Sequence, residues 1–278
     1  MGLNVKLDTE ATERTLVRFI RDYVESAGAR GVVLGLSGGL DSAVGATLAV
    51  RALGAERVHP FFLPAATSSE ADRKDAKRMA EHLGLTLTEH PIDPMTDATH
   101  AALGKEPPRQ VAQNILPRLR MVLLFAEAQD RGAIVMGTGN KSELLTGYFT
   151  KYGDGGVDLQ PLGDLYKTQV QELAVHLGVP SKIVDKTPSA GLWEGQTDED
   201  ELGMTYDTLD QVLLGIEVDL PFERIAEDAG VPLDEVHRIE RLRRATQHKR
   251  HMPIVPKLGI RTVGTDWRDP VMGDGPEA

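Results

Sequence analysis

A glycine-rich turn joins a predicted buried strand to a predicted helix near the start of the chain. Its sequence is Gly31-Val-Val-Leu-Gly-Leu-Ser-Gly-Gly-Leu-Asp-Ser42, with uncharged aliphatic residues before the turn and an apolar helical repeat after it. Gly38 and Gly39 allow a ligand to approach the main chain, and the first helical turn directs amides and its positive dipole end into the same concavity. The turn therefore predicts an anion site, to which Ser37 and Ser42 add two hydroxyl donors.

Asp41 places a carboxylate where the bound phosphate would lie. The carboxylate would repel that phosphate unless Mg²⁺ bridged the two, so we interpret Asp41 as a magnesium ligand. The alternative is a plain glycine turn in which Asp41 only favours a helix N-terminus. The turn lacks the Gly-Lys-Ser/Thr of a Walker loop, so cations must come from elsewhere in the chain. Residues 37–42 instead resemble the pyrophosphate loop of the ATP pyrophosphatases, which cleave ATP to AMP and pyrophosphate.

A second polar stretch follows a predicted strand at residues 133–136. Thr138 offers a hydroxyl to a nucleotide at the end of that strand, and Glu143 lies in the first turns of the next helix. Because the carboxyl ends of parallel strands share one edge of a sheet, Asp41 and Glu143 could hold one Mg²⁺ against a triphosphate. A solvated helix acid is the alternative interpretation of Glu143.

The stretch continues as a glycine-rich loop at residues 147–162 that carries three charged side chains. Lys151, Asp154 and Asp158 alternate with glycines, a composition that offers main-chain donors and fixed charges to a polar ligand. The aromatic residues beside them could stack on a flat ring, although packing is their commoner use. The loop is therefore a candidate for binding a second, polar substrate.

Strands and helices alternate as far as residue 140. Hydrophobic periods predict strands at 32–36, 57–63, 85–90 and 133–136, and helices at 10–27, 43–53, from Ser68 or Ser69, at 93–103, and after Asn114 with Pro117 in the first turn. This alternation predicts an α/β fold with a doubly wound, mostly parallel sheet flanked by helices, and ligands beyond the carboxyl ends of the strands. The C-terminal part is predicted to be helical, with helices at 202–214 and 233–245 and an acidic flap at 192–201.

Composition narrows the class of protein. The 278 residues carry a net charge of −11, which argues against general nucleic-acid binding because such binding needs clustered Lys and Arg. The chain has no cysteine, which excludes disulfides, cysteine zinc sites and thiolate catalysis. No signal peptide and no window of ~18 uncharged apolar residues is present, so we expect no membrane contact and a cytoplasmic location. We expect one domain over residues 1–250 and a surface or flexible tail over 251–278.

Taken together, these motifs resemble the ammonia-dependent NAD⁺ synthetases, a family of N-type ATP pyrophosphatases. The resemblance rests on the pyrophosphate loop, residues 147–162, Arg118-Leu-Arg-Met121, Lys167 and Gln247-His-Lys-Arg250, and it runs in order from about residue 10 to residue 250. It implies an adenine-nucleotide alpha hydrolase-like fold and ATP-dependent amidation of deamido-NAD⁺ to NAD⁺ with ammonia. The reaction would pass through an adenylated nicotinate carboxylate and release AMP and pyrophosphate.

The resemblance also implies roles for individual residues. Those expected to bind ATP are Gly35, Leu36, Ser37, Gly38, Gly39, Leu40, Asp41, Ser42, Thr138, Lys167 and Ser189. Those expected to bind deamido-NAD⁺ are Arg118, Lys151, Asp154, Asp158, His248 and Lys249. Asp41 and Glu143 match the magnesium ligands, and with Lys167 they form the expected catalytic set.

The family resemblance extends to assembly and to the nitrogen source. It implies a homodimer with substrate bound near the subunit boundary, and an apolar helical stripe at residues 119–126 is a candidate seam. We see neither a glutaminase domain nor a cysteine nucleophile in the sequence. The expected nitrogen source is therefore free ammonia, or ammonia handed over by a donor protein.

Two other interpretations stay open at this point. The chain could be another ATP pyrophosphatase, such as a GMP-synthetase-like amidotransferase module or a tRNA-modifying thiolase, although thiolation commonly relies on the cysteine that this chain lacks. It could also be a nucleotide-binding sensor without catalysis. Against a sensor, Asp41 and Glu143 would only repel a phosphate unless metal-assisted chemistry used them.

Overall fold

A parallel sheet of four strands lies at the centre of the computed structural model, which describes residues 6–189 and 197–267. The strands are β1 (Val32–Gly35), β2 (Val58–Phe62), β3 (Thr88–Glu89) and β4 (Ile134–Val135). Their spatial order is β3-β2-β1-β4, and every neighbouring pair is parallel. The chain thus winds outward from β1 to β3 and then crosses back to place β4 on the other side of β1. The predicted α/β fold with a doubly wound parallel sheet is confirmed.

The described ranges contain twelve helices. They are α1 (Thr9–Ser26), α2 (Leu40–Leu53), α3 (Glu70–His82), α4 (Asp93–Leu103), α5 (Arg109–Arg131), α6 (Lys141–Thr146), α7 (Lys167–Leu177), α8 (Ser181–Val184), α9 (Asp198–Leu202), α10 (Tyr206–Glu217), α11 (Phe222–Ala229) and α12 (Leu233–Ala245). Short 3₁₀ helices cover Ala55–Arg57 and Gln247–Lys249. The helical C-terminal part is confirmed, and α4 and α12 have the predicted bounds. No helix among the described residues is long and apolar enough to cross a membrane.

Alternation along β1 divides the core between the two faces of the sheet. Successive strand side chains point to opposite faces, so Val32 and Leu34 are buried on one face and Val33 on the other. The first face is covered mainly by α1, α2 and α7, and the second by α5. A third apolar cluster, formed by the helices from α9 to α12, includes Tyr166 at the start of α7. The helices from α9 to α12 therefore pack against the start of α7 through Tyr166.

The structure corrects two predicted helix boundaries. Helix α5 begins at Arg109, directly after Pro108, so Pro117 lies inside the helix instead of in its first turn. A proline there removes a helical hydrogen bond, but the ring is buried and its Cβ packs against Gly153, where an added methyl group would lie only 2.8 Å away. The predicted helix at 202–214 is also wrong as a single element. Gly203, at φ +75°, ends α9, and a new cap starts α10.

The C-terminal tail that was predicted from residue 251 onward is described as far as residue 267. It contains no helix or strand in that range, and its large apolar side chains are exposed. Thr262 is the one buried residue in the described part of the tail. Its backbone N–H donates to the Asp266 carboxylate, which closes a turn. The described part of the tail therefore lies at the surface.

Gly147 sits at the C-terminal end of α6 with φ +70°, and its position is crowded by Thr246. We expect Gly147→Ala to lower the free energy of unfolding by ~1–2 kcal/mol for the left-handed backbone and by a further ~1–3 kcal/mol for the overlap with Thr246. Gly178→Ala is the matched control, because Gly178 has φ +78° but nothing within 4 Å of the added methyl group. Urea unfolding measures both losses. Equal losses for the two variants would contradict the packing of α6 against the end of α12.

Candidate active site

The two predicted carboxylates flank the point where the strand order reverses. Asp41 lies in the first turn of α2, directly after the loop that leaves β1, and Glu143 lies in the first turn of α6, after β4. Because β1 and β4 are neighbours and parallel, both loops emerge from the same edge of the sheet. In an open α/β sheet this crevice is where ligands bind. The structure thus brings together two segments that are separated by about a hundred residues of sequence.

The glycine turn is organised by its own serines. The Ser42 hydroxyl donates to the Gly39 carbonyl at 2.9 Å and lies 3.1 Å from the Ser37 hydroxyl, while the Ser37 N–H points to Ser42 Oγ at 3.2 Å. Gly38 adopts φ +81°, and an added methyl group there would lie 2.4 Å from the Asp72 carbonyl oxygen. Ser42 is buried and holds the turn in shape, whereas Ser37 is exposed and its hydroxyl also accepts the Gly39 N–H at 3.3 Å.

A buried lysine joins the two halves of the crevice. Lys167, the first residue of α7, is only 5% exposed, and its Nζ forms an ion pair with Asp41 and lies 4.0 Å from Glu143 Oε1. Asn140 completes the bridge, because its side-chain amide donates to Asp41 Oδ1 at 3.2 Å. Asn140 also caps α6 reciprocally with Glu143, whose carboxylate accepts the Asn140 N–H at 3.1 Å. Asp41, Lys167 and Glu143, the expected catalytic set, therefore share one site.

Burial and crowding of charge shift the pKa values of these groups. Burial, and next the neighbouring Asp41 carboxylate, raise the pKa of Glu143 to about 8, although the Lys167 ammonium acts in the opposite direction. Burial alone would lower the pKa of Lys167, but the Asp41 and Glu143 carboxylates raise it above its ordinary value. The ammonium also lies 5.4 Å from the centre of the Tyr206 ring, within range of a cation–π interaction. Lys167 is therefore held as a cation in a site built for positive charge.

This geometry allows the two carboxylates to hold a divalent cation. They converge on one ammonium group, which shows that the space between them accommodates and stabilises positive charge. Within the described residues there is no cluster of three or more His, Cys, Asp or Glu side chains arranged to bind a metal. A hard cation placed here would complete its oxygen shell with water and with a ligand, as Mg²⁺ does beside phosphates.

A cleft of about 220 Å³ opens beside the buried lysine. Its lining includes Leu40, Lys167 and Tyr206 and the segment that contains Lys186 and Thr187. The segment leads to Ser189, after which residues 190–196 lie outside the described residues, so the first half of the predicted flap at 192–201 falls outside them. The remainder of the predicted flap belongs to α9.

The leucines and glycines among the residues expected to bind ATP offer it mainly their main-chain groups. The side chains of Leu36 and Leu40 are buried in the apolar core beneath the turn. The Thr138 methyl group faces Gly45 of α2, where an added Cβ would lie 2.8 Å from it. Gly45 thus lets α2 and the strand-end segment approach closely, which leaves the main chain of residues 35–42 and the Thr138 hydroxyl to contact a ligand.

The residues expected to bind the second substrate form another group around the glycine loop. Arg118 Nε donates to the Lys151 carbonyl at 3.4 Å, and Lys151 Nζ donates to the carbonyl of His248 at 2.6 Å. Lys249 Nζ donates to the carbonyls of Gly147 and Phe149 at 2.7 and 2.8 Å. Helix α5, the loop and the end of α12 therefore converge. The His248 side chain and the Arg118 side chain remain exposed.

The two acidic residues of the loop serve partly to shape it. Asp154 Oδ1 accepts the Thr150 N–H at 2.8 Å, which closes a turn within the loop. Asp158 Oδ2 accepts the Val135 N–H at 2.7 Å, so this carboxylate joins the loop to β4, the strand that pairs with β1. Both residues are nevertheless exposed.

Helix α6 links the crevice around Lys167 to the group of residues around the glycine loop. We call these two regions the half-sites. Glu143 belongs to its first turn and Gly147 follows its last residue, so a helix of six residues, about 9 Å long, separates the buried lysine from the glycine loop. The Arg250 guanidinium donates to the carbonyls of Leu144 and Leu145 and fixes the C-terminal end of α6. A ligand that reached both half-sites would therefore span the length of α6.

Sequence reasoning missed three residues that build the site. Asn140 supplies the amide that fixes Asp41, Tyr206 supplies the ring beside Lys167, and Asp198 accepts the Tyr206 hydroxyl at 3.3 Å. The Asn140-x-x-Glu143 pattern is a helix-capping signal that could have identified the first of them. Tyr206 and Asp198 lie in helices far along the chain, and nothing in their local sequence points to the crevice.

Comparison with known proteins identifies close relatives. A family profile described as NAD synthase matches residues 12–253. The chain is 43% identical to a Thermococcus kodakarensis protein and 46% identical to a Hyperthermus butylicus protein, both named NH(3)-dependent NAD(+) synthetase. These matches cover 91% and 94% of this chain and 99% and 94% of the relatives. Among solved structures, an NMN synthetase from Francisella tularensis matches with a TM-score of 0.82 and 37% identity, covering 91% of this chain and all of that one.

The raised pKa of Glu143 predicts a distinctive dependence of stability on pH. A group whose pKa is higher in the folded protein than in the unfolded chain stabilises the fold below the unfolded value of 4.5 and loses that contribution as pH rises through about 8. Relative to the wild type, Glu143→Gln should therefore gain more than ~1 kcal/mol of unfolding free energy between pH 5 and pH 9 in the presence of EDTA. Urea unfolding at both pH values measures the change.

Glu217→Gln is the control for this experiment. Burial would raise the pKa of Glu217, but hydrogen bonds from Lys141 and Tyr166 outweigh it and lower the pKa. Its contribution to stability is lost only on acidification, so the difference between Glu217→Gln and the wild type should stay constant from pH 5 to pH 9. A constant difference for Glu143→Gln as well would show that Glu143 does not titrate in this range.

Proposed function

The chain belongs to the NAD synthase family, and from this premise we propose how its two half-sites share one reaction. The protein is a ligase that forms a C–N bond, using ATP and ammonia to convert deamido-NAD⁺ to NAD⁺. The observation that carries the proposal is the meeting of Asp41, Lys167 and Glu143 at the crevice between β1 and β4. The crevice would hold the triphosphate, and the glycine loop beyond α6 would hold the pyridine dinucleotide.

The chemistry requires movement of negative charge. A carboxylate resists attack by ammonia because its carbon is electron-rich and oxide cannot leave. When a carboxylate oxygen attacks the α-phosphorus of ATP, pyrophosphate leaves and the oxygen becomes part of AMP. Ammonia then attacks the acyl carbon, AMP leaves with the bonding pair, and loss of a proton yields the amide. None of these steps needs a nucleophilic side chain, so the protein has to orient the reactants and stabilise developing charge.

The ATP half-site offers groups suited to that task. The main chain of residues 35–42 would hold the phosphates, and Lys167 would pair with the charge that develops during adenylation. Thr138 and Ser189 lie on the two segments that border the loop and the cleft, where a hydroxyl could reach the nucleotide. Asp41 and Glu143 would hold Mg²⁺, which when bound neutralises part of the pyrophosphate charge.

The dinucleotide half-site offers both charge signs. Arg118, Lys151 and Lys249 supply cations for the phosphates of deamido-NAD⁺, and His248 supplies an exposed ring beside them. Asp154 and Asp158 each keep one oxygen free of the main-chain bonds described above and can accept hydroxyl groups. The His248 carbonyl accepts from Lys151, and the loop carbonyls of Gly147 and Phe149 accept from Lys249, so substrate binding would exchange those bonds for phosphate contacts.

We also propose the assembly and location of the protein. Residues 1–250 would act as one domain, because Asp210 of α10 accepts hydrogen bonds from Ser142 of α6 and from the Thr168 N–H at the start of α7. The residues from 251 onward would form the tail. We further propose a homodimer joined along α5, where Val122 is half exposed, and a cytoplasmic location. Ammonia would reach the site freely or from a donor protein.

A second substrate is favoured by one specific comparison. The similar structure from Francisella tularensis is named an NMN synthetase, so amidation of the nicotinate mononucleotide by the same chemistry is the alternative. The mononucleotide lacks the adenylate part that would reach across the glycine loop. The two substrates therefore differ in how much of the second half-site they use.

The decisive assay supplies Mg-ATP and ammonium with one acceptor at a time. We expect purified protein to yield NAD⁺, AMP and pyrophosphate from deamido-NAD⁺, with a higher kcat/KM than for the mononucleotide. Preference for the mononucleotide would transfer the assignment to NMN synthesis, and turnover of xanthosine monophosphate would indicate a GMP-synthetase-like module. Binding of ATP without turnover of any acceptor would indicate a sensor.

The pairing of Lys167 with both carboxylates predicts competition between its ammonium and Mg²⁺. In the absence of nucleotide, Lys167→Gln should bind Mg²⁺ more tightly than the wild type by about tenfold, because a competing cation worth ~1.4 kcal/mol or more is removed. Asp41→Asn should weaken binding instead, since it removes a ligand. Isothermal titration above pH 8 measures both affinities, with Lys141→Gln as the control because Lys141 pairs with Glu217 and Asp164 elsewhere. Weaker binding by Lys167→Gln would place the metal away from this pair.

A further inference from the structure

Lys186 approaches the glycine turn from outside the loop itself. It follows α8, and its Nζ donates to the Gly38 carbonyl at 3.1 Å. The same ammonium pairs with Asp72 at 2.7 Å and with Asp75 at 3.2 Å, both on α3. The turn itself contains no lysine. Among the described residues, Lys186 and Lys167 are the two lysines that line the adjoining cleft.

Asp75, one of the two carboxylates that pair with Lys186, also pairs with two other cations. The Asp75 side chain is only 3% exposed, and it is also paired with Lys182 at 2.9 Å and with Arg78 at 3.4 Å. If Lys186 left, two cations would still neutralise Asp75, so the large cost of an unpaired buried charge would not arise. Asp72 would also keep partners, because it accepts the Ser69 hydroxyl at 2.7 Å in the cap of α3.

The position of Lys186 lets it reach a ligand in the cleft. Gly38 packs against the start of α3, with the Asp72 carbonyl 2.4 Å from where a methyl group would lie, so the Lys186 ammonium sits at the rim of the turn between α3 and the cleft. The flexible four-carbon stem of lysine can redirect the ammonium by several ångströms without backbone movement. A polyphosphate bound to the turn would present more negative charge than Asp72 does.

We propose that Lys186 is a phosphate-binding residue. Its ammonium group would move away from Asp72 and Asp75 and pair with the pyrophosphate portion of a nucleotide bound at the glycine turn. This inference rests on the proposed function, since it names a further contact of the same ATP half-site. Together with Lys167, Lys186 would supply a second cation to a turn that has no lysine of its own. Asp72 then acts as the resting partner that keeps the ammonium ordered while the cleft holds no phosphate.

The experiment measures binding of Mg-pyrophosphate by isothermal titration together with the KM for ATP. Lys186→Gln should weaken pyrophosphate binding about tenfold or more, as expected for loss of one charge-assisted contact, and should raise the KM for ATP in proportion. Lys186→Arg should retain most of the affinity. Lys182→Gln is the matched control, because Lys182 pairs with the same Asp75 but points to solvent, and it should leave pyrophosphate affinity within about twofold.

Asp72→Asn separates phosphate binding from a purely structural clamp on the turn. The asparagine can still accept the Ser69 hydrogen bond, but it no longer holds Lys186 by charge. If Lys186 binds phosphate, its release should strengthen pyrophosphate binding; if Lys186 only fixes the turn through Asp72, the same change should weaken binding. Weakening by Asp72→Asn, or equal affinities for Lys186→Gln and Lys182→Gln, would overturn the inference.

The wild-type preparation keeps this result distinct from the proposed ligase activity. Synthesis of NAD⁺ by the wild type, with unchanged pyrophosphate binding in Lys186→Gln, would overturn only the role of Lys186. Loss of pyrophosphate binding in Lys186→Gln without any NAD⁺ synthesis by the wild type would support the phosphate contact and overturn the proposed reaction.

Discussion

The buried ammonium of Lys167 is the interaction on which the site depends. It forms an ion pair with Asp41, lies near Glu143 and faces the Tyr206 ring, so it joins the turn after β1, the helix after β4 and the helical C-terminal part. A buried cation is stable only when its partners are correctly placed. The positions of these three segments therefore depend on one another, and a shift in any of them would leave charge unpaired.

The strand order explains why such a meeting is possible. Reversal of winding at β1 leaves a crevice between the loops after β1 and β4 that no crossover helix fills. Two glycines allow close packing around this crevice. Gly45 lets α2 approach the segment after β4, and Gly38 lets the turn approach α3. The short helix α6 then carries the chain from this crevice to the glycine loop. This arrangement suits the proposed reaction, in which the crevice would hold the triphosphate and the glycine loop the dinucleotide.

Regular elements were predictable where their signals are local. The strand at 32–36 and the helices at 93–103 and 233–245 follow from hydrophobic period and flanking residues, and the structure confirms them within a residue or two. The start of α5 was not predictable in the same way, because an interior proline normally ends a helix and here it is tolerated by packing on Gly153. The break at Gly203 was missed because the apolar period continues across it.

The sequence by itself determined the chemistry of the turn, the presence of two acidic residues at strand ends and the composition of the glycine loop, because residue type and short spacing settle these. Only the tertiary structure decided which charges meet. Lys167 and Asp41 are 126 residues apart, and Lys186 and Gly38 are 148 residues apart, so no local pattern links them. Ion pairs of this kind are selected by how the helices pack around the sheet, a property of the whole chain that the periodicity of one segment does not contain.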